Sequence, residues 1–167
     1  MTSPVPILRI LVVLFLTSPL IGVAQAPEVP KPLLGTWILN VSKSTLASAP
    51  PKSHYRSFDL SHDEMVLCTY GTVNQEGEGS FGFWEARLDN SDAKEFSRRR
   101  GATPSAILNA KRVDSHTMYV TAKRDGKLFA TVTFFASKDG KNMTQDITTI
   151  NEQGEKVRNI RVYDKQP

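Results

Sequence analysis

Thr117-Met118-Tyr119-Val120-Thr121-Ala122-Lys123-Arg124-Asp125-Gly126-Lys127-Leu128-Phe129-Ala130-Thr131-Val132-Thr133-Phe134 decides the fold. Two runs rich in threonine, valine and aromatic residues flank Asp125-Gly126, and such residues suit half-buried pleated surfaces. In the second run the even positions, Leu128, Ala130, Val132 and Phe134, are all apolar, which is the period of a strand and not of a helix. Asp-Gly between two such runs supplies the positive backbone angles of a tight hairpin. The stretch therefore predicts two antiparallel strands joined by a short turn.

The same unit recurs along the chain. Asp139-Gly140 follows the second run, and Gly126, Gly140 and Gly154 fall fourteen residues apart, one strand plus one turn each time. Asp114-Ser115-His116 makes a similar break upstream. Further strand-like runs cover residues 54–60, 65–73, 80–88, 106–113, 141–150 and 155–163, with a poorly defined one near 95–98. Residues 41–52 end in Pro50-Pro51 and read as a loop, because proline removes an amide donor and forces its predecessor out of the helical region. Consecutive strands joined this way form a meander. An open meander exposes two long edges, and closing it removes them. The predicted fold is all-β: an antiparallel up-and-down meander barrel of about eight to ten strands, with a β-sandwich as second choice.

A chain of 167 residues suits one domain. Twenty-one Lys and Arg against seventeen Asp and Glu leave a charge of +4, too small to steer a protein onto nucleic acid. At the amino end Arg9 precedes an apolar run at residues 10–23. The run is too short to cross a bilayer but suits the core of a secretory signal. Ala24-Gln25-Ala26 offers small residues for cleavage, and since Pro27 disfavours a cut after Ala26, cleavage after Ala24 is preferred. The organisation read from the sequence is a signal peptide at 1–24, an extended proline-rich tail at 25–32 and a barrel domain at 33–167. The expected location is periplasmic or secreted, with no membrane span once the signal is removed. A lone Cys68 in an exported chain has no internal disulfide partner, and within a strand-like run it reads as a small buried apolar residue.

The opening strand, Gly35-Thr36-Trp37-Ile38-Leu39-Asn40, resembles the Gly-x-Trp start of lipocalins and fatty-acid-binding proteins. The last strand, Arg161-Val162-Tyr163-Asp164-Lys165, is similar to the closing strand of the latter. The region after the signal also resembles exported bacterial lipocalin-like proteins of unknown function, with their Gly-Thr-Trp, Leu-Asn, Lys-Ser opening and Asp-Gly-Lys hairpins. That likeness spans about four fifths of the chain. The lipocalin resemblance implies that Gly35 and Trp37 form a structural plug at the closed end, with Arg161 stacked on the indole. The fatty-acid-binding resemblance implies instead that Arg161 and Tyr163 point inward and grip a carboxylate, since a two-residue offset puts both on one strand face. Alternation leaves both options open: Ile160 and Val162 face a dry interior, whereas Arg161 and Tyr163 face one that holds a polar-headed ligand. The chain departs from the second family in its export signal and in residues 41–52, whose prolines replace a helical lid.

Other motifs carry less. Gly77-Glu78-Gly79-Ser80-Phe81-Gly82 fits a phosphate-loop pattern, but a strand-like run follows it and Glu78 repels phosphate. His54, His62 and His116 lack ligand spacing, and Asp89-Asn90-Ser91-Asp92 lacks the glycine and distal glutamate of a calcium loop, so no metal is expected. No nucleophile elbow or cysteine–histidine pair is suggested, and the chain is not expected to be an enzyme or to need a cofactor. Arg98-Arg99-Arg100 reads as a solvated turn. Phe81, Phe83 and Trp84 read as core and rim packing. Asn40-Val41-Ser42 and Asn142-Met143-Thr144 match the N-glycosylation pattern.

The expected function is binding of a small apolar or amphipathic, fatty-acid-like ligand inside the barrel, with Arg161, Tyr163 and Arg56 fixing its head. The alternative is an envelope structural or interaction protein whose barrel is filled by its own side chains.

Overall fold

A computed structural model describes residues 28–98, 103–151 and 153–167. The expected signal segment, its cleavage site, and Arg99 and Arg100 of the basic run lie outside the described residues. Ten strands follow one another: β1 (Gly35–Thr45), β2 (Ser53–Leu60), β3 (Val66–Val73), β4 (Gly79–Ala86), β5 (Asp89–Ser97), β6 (Ala106–Arg112), β7 (Thr117–Arg124), β8 (Lys127–Ala136), β9 (Asn142–Ile150) and β10 (Lys156–Lys165). Each pairs antiparallel with its neighbour in sequence, and β1 pairs with β10 to close the barrel. The expected meander is therefore a closed ten-stranded, lipocalin-like barrel. Among the described residues no helix is long and apolar enough to cross a membrane.

The hairpin chemistry is as the sequence requires. Asp125 and Gly126 both have positive φ, 49° and 74°, the conformation of a two-residue type I′ turn whose twist matches that of its strands, and Arg124 pairs with Lys127. Two longer hairpins share one design. Asn74 and Asn151 open them, and each side chain accepts the amide of a glutamate four residues on, Glu78 or Glu155, and donates back to its carboxylate.

The closed end is built around Trp37, which is 0% exposed. Its Nε1–H donates to the Leu33 carbonyl at 2.8 Å, from a single 3-10 turn at Lys31–Leu33 that crosses the barrel bottom. Val29 and Pro30 are buried there too, so packing begins within the segment expected to be an extended tail. The cation over the indole is Lys165, with Nζ 5.0 Å from the ring, and not Arg161 as the lipocalin likeness implied. Register explains the correction: Trp37 pairs directly with Lys165, whereas Arg161 lies four residues up β10. Gly35 at φ 112° lets the Lys165 stem pass, for a Cβ there lies 3.1 Å from Lys165 Cε. Phe58, which pairs across from Gly35, stacks edge to face with Trp84 and with Phe134 in the same core as Met118 and Met143.

Three further expectations are corrected. Residues 41–45 continue β1 instead of opening a loop; the register against β10 shifts between Asn40 and Thr45, and the Ser44 hydroxyl accepts the Val162 amide there. The strand expected near 95–98 is the nine-residue β5. Its first four residues, Asp89 to Asp92, are exposed and polar, with Asn90 at φ 69°, so backbone pairing to β6 builds it with no apolar pattern to announce it. Trp84 is core as expected, but Phe81 and Phe83 stand outward, Phe81 42% exposed and Phe83 stacked on Phe96 at 5.4 Å.

The closing seam carries a polar clasp. Asp164 of β10 accepts from Asn40 of β1 and Asn142 of β9, each at 2.6 Å, and from Lys43 at 2.8 Å. Both glycosylation-pattern asparagines are thus engaged with one carboxylate.

Candidate functional site

The other half of the barrel interior is polar. On β2 the alternation that sends Phe58 into the core also sends in Arg56 and His54, 7% and 6% exposed. On β3 it sends in Cys68, Tyr70 and Thr72, and on β10 Tyr163, which is fully buried. The last strand thus turns its Arg-x-Tyr face inward, and Arg161 lines the cleft described below.

Arg56 is the centre of this group. Its Nη1 donates to Cys68 Sγ at 2.9 Å, and its guanidinium carbon sits 4.8 Å from the Tyr70 ring and 5.1 Å from that of Phe134. Its Nε has no hydrogen-bond partner among the described residues. No carboxylate of the described residues pairs with it or with Arg161. Glu95 of β5 is held elsewhere: Tyr70 donates to it at 2.6 Å and Ser105 at 3.2 Å. An unpaired buried cation is costly.

The neighbours feel this charge. Burial pushes the Cys68 thiol up to about 11, only partly opposed by Arg56, so the sulfur stays protonated, consistent with the expected role as a core residue. Burial raises Tyr163 above the ordinary tyrosine range while Arg56 and Arg161 both pull the other way. The Tyr163 hydroxyl donates to Gln145 Oε1 at 2.8 Å. Burial, then Arg56, then Arg161, lower His54 from 6.5 to about 3, so its imidazole is neutral at physiological pH. His54 Nδ1 is 2.6 Å from Thr72 Oγ1, and its Nε2 has no partner among the described residues.

Above this group the barrel opens into a cleft of about 300 Å³. Residues 46–51 and 74–76 form its rim; His54, Thr72, Asn159 and Arg161 line it within. Gly82 makes room for the polar group from the adjoining strand, β4, where it pairs directly with Tyr70. A Cβ on Gly82 would meet the Tyr70 hydroxyl at 2.3 Å, so only glycine lets Tyr70 reach across β4 to Glu95.

The three residues expected to fix a ligand head, Arg161, Tyr163 and Arg56, are thus gathered by two inward-facing stretches, one of β2 and one of β10. Sequence reasoning missed His54, Gln145, Tyr70 and Glu95. The His54-x-Arg56-x-Phe58 spacing was the available signal, since a core phenylalanine fixes the facing of residues two and four positions away. Among the described residues no three of His, Cys, Asp and Glu converge as metal ligands would. Arg161 lines the opening, the Arg56 guanidinium and the Tyr163 hydroxyl are buried beneath it, and Arg56 Nε and His54 Nε2 have no hydrogen-bond partner among the described residues.

No protein-family model matches this sequence, and no curated protein matches it closely enough to count as a relative.

Proposed function

We propose that this chain is an exported binding protein that holds a small amphipathic molecule by its anionic head in the open half of the barrel. The observation that carries the reading is Arg56, a buried guanidinium with no carboxylate partner among the described residues, set below a cleft that Arg161 lines. Folding a lone cation into a barrel costs stability that packing alone does not return, and a ligand anion supplies the missing charge. Arg161 and Tyr163 then complete the carboxylate clamp implied by the Arg-x-Tyr resemblance. At about 300 Å³ the cleft stands at the small end of the roughly 300–1,000 Å³ range of ligand sites, so the ligand is short, or only its head enters. Export to a periplasmic or extracellular space rests on Arg9, the apolar run at 10–23 and the small residues at 24–26. The reading assigns no catalysis and no cofactor.

A second reading, a self-filled barrel acting through its surface, is favoured by the exposed aromatic wall of Phe81, Phe83 and half-buried Phe96. Native mass spectrometry of protein from its own compartment, followed by titration with octanoate and a fluorescent fatty acid, separates the two. A bound acid or saturable uptake, weakened about 10–100-fold by Arg161→Gln, supports the binding protein, since hydrogen bonds to charged groups contribute about 1.5–3 kcal/mol. An apo mass with no uptake by the wild-type chain moves the conclusion to the filled barrel.

A further inference from the structure

We infer that the anion enters this site together with a proton, and that Nε2 of His54 is the atom that takes the proton. The inference rests on the anion-binding reading above and adds to it a mode of regulation and a preference among head groups.

The argument begins with what faces His54. From its own strand comes Arg56; from β10 come Arg161 and the ring of Tyr163, 5.7 Å away; from β3 comes uncharged Thr72. The rim stretch at 46–51 brings Leu46, serine, alanine and prolines to the cleft but no charge. Glu76, in the turn between β3 and β4, is the one carboxylate along the lining, and it is exposed at the rim. The imidazole therefore meets two cations close by and an anion only at the water's edge. Without an anion it is neutral: Nδ1 lies 2.6 Å from the Thr72 hydroxyl, where either atom can be the donor, and buried Nε2 has no partner among the described residues. Uptake at Nε2 uses the tautomer in which Nδ1–H donates to Thr72 and Nε2 carries the lone pair.

An oxyanion that settles between the two guanidiniums reverses each condition. Its charge offsets those of Arg56 and Arg161, and its oxygen offers the acceptor that a protonated Nε2 needs. The proton comes from solvent, adds to the Nε2 lone pair and breaks no existing bond, since Nδ1–H keeps Thr72. Head groups that remain ionised in acid, such as sulfonates, gain affinity steadily as pH falls. Carboxylates gain until they themselves protonate, near their ordinary range of about 4–5.

Octanesulfonate, fully ionised throughout, is the probe. Titration calorimetry of the full folded chain, at one pH in buffers of different ionisation enthalpy, counts protons taken up per ligand bound. The expected result is a fractional uptake near neutrality that approaches one proton, with affinity rising by up to about tenfold per pH unit, below about pH 6. His54→Gln, which keeps a hydrogen-bonding group near Thr72, is expected to take up no proton and to flatten the pH profile. Imidazole nitrogen shifts of the wild-type protein, recorded with and without octanesulfonate, give a readout independent of that variant: His54 is expected to change from neutral to protonated on binding. Binding without proton uptake, uptake that persists in His54→Gln, or a His54 signal that stays neutral with ligand bound overturns the inference while leaving the anion site standing. Failure of both octanesulfonate and octanoate to bind at any pH overturns the anion site itself, and the proton with it.

Discussion

The two ends of this barrel are built on opposite principles. At the closed end every large side chain is apolar or has its polar atom answered: Trp37 buries its indole and hands its one N–H to Leu33. Toward the open end, beginning at Arg56, which pairs across from Trp37, and continuing to His54, the side chains are buried nearly as deeply. Yet each of these two keeps a nitrogen without a partner among the described residues. The same two-residue period of β2 delivers Phe58 to one half and Arg56 and His54 to the other. Burial alone therefore does not separate structural from functional residues here; satisfaction of the buried groups does. On the proposed function, stability is concentrated in one half and recognition in the other.

Substitutions test that division, and the largest effect is expected at the closed end. Trp37→Ala removes the plug and its Lys165 contact and is expected to cost about 3–5 kcal/mol in urea unfolding. A cost below about 1 kcal/mol means that the turn at Lys31–Leu33 closes the barrel without the indole. Gly82→Ala drives Tyr70 from Glu95 and is expected to cost about 1–3 kcal/mol, carrying the comparison into the polar half, where packing is also tight. Arg56→Met sharpens the contrast most, because its sign is reversed. Replacing an unpaired buried cation with an apolar side chain is expected to raise stability by about 1–3 kcal/mol while anion binding disappears. A destabilised Arg56→Met protein makes Arg56 a structural residue and removes the contrast.

Acid provides a subtler probe. Folded His54 takes a proton only near pH 3, the unfolded imidazole near 6.5, so the unfolded chain binds more protons between those values. The contribution is complete above pH 6.5 and is lost on acidification, by about 1.4 kcal/mol for each pH unit down towards pH 3. Unfolding free energies measured across that window are expected to slope less in His54→Gln by that amount. The smallest effect belongs to the outside wall. Arg158 and Asp146 form an exposed bidentate pair, and Arg158→Ala is expected to move the urea midpoint only slightly, and less still in salt.

What the sequence disclosed follows the same division. Period-two alternation with Asp-Gly turns was enough to read β7, β8 and the meander, because those strands bury one face and their turns need particular residues. β5 was nearly invisible, since Asp89 to Asp92 bury almost nothing and take their place through backbone pairing. The first half of residues 41–52 was misread because Pro50-Pro51 speaks only for its own neighbourhood, while Ser44 bonds to Val162 far along the chain. Within the site, Arg161 and Tyr163 stood out through a short resemblance and a shared face. The facing itself remained open, since an inward arginine violates the rule that apolar residues go inside, and the rule gives way where a ligand is expected. His54 was missed because single histidines were weighed only as metal ligands. Lys165 was missed as the partner of Trp37 because register across β1 and β10 depends on chain closure, which no local pattern encodes.

That closure has a consequence in time. β1 finds its last partner in β10, whose residues lie at the far end of the chain, so the first strand made waits for the last. Until those final residues emerge, the growing meander has two unpaired margins and an incomplete wall around its aromatic core. Under the proposed export, a chain that crosses a membrane unfolded benefits from such an arrangement, for it does not lock into its final form before β10 has crossed. The same geometry makes the carboxyl-terminal strand the natural point of quality control. A product lacking β10 exposes sticky margins for proteases to recognise, whereas the complete chain conceals them in a single step.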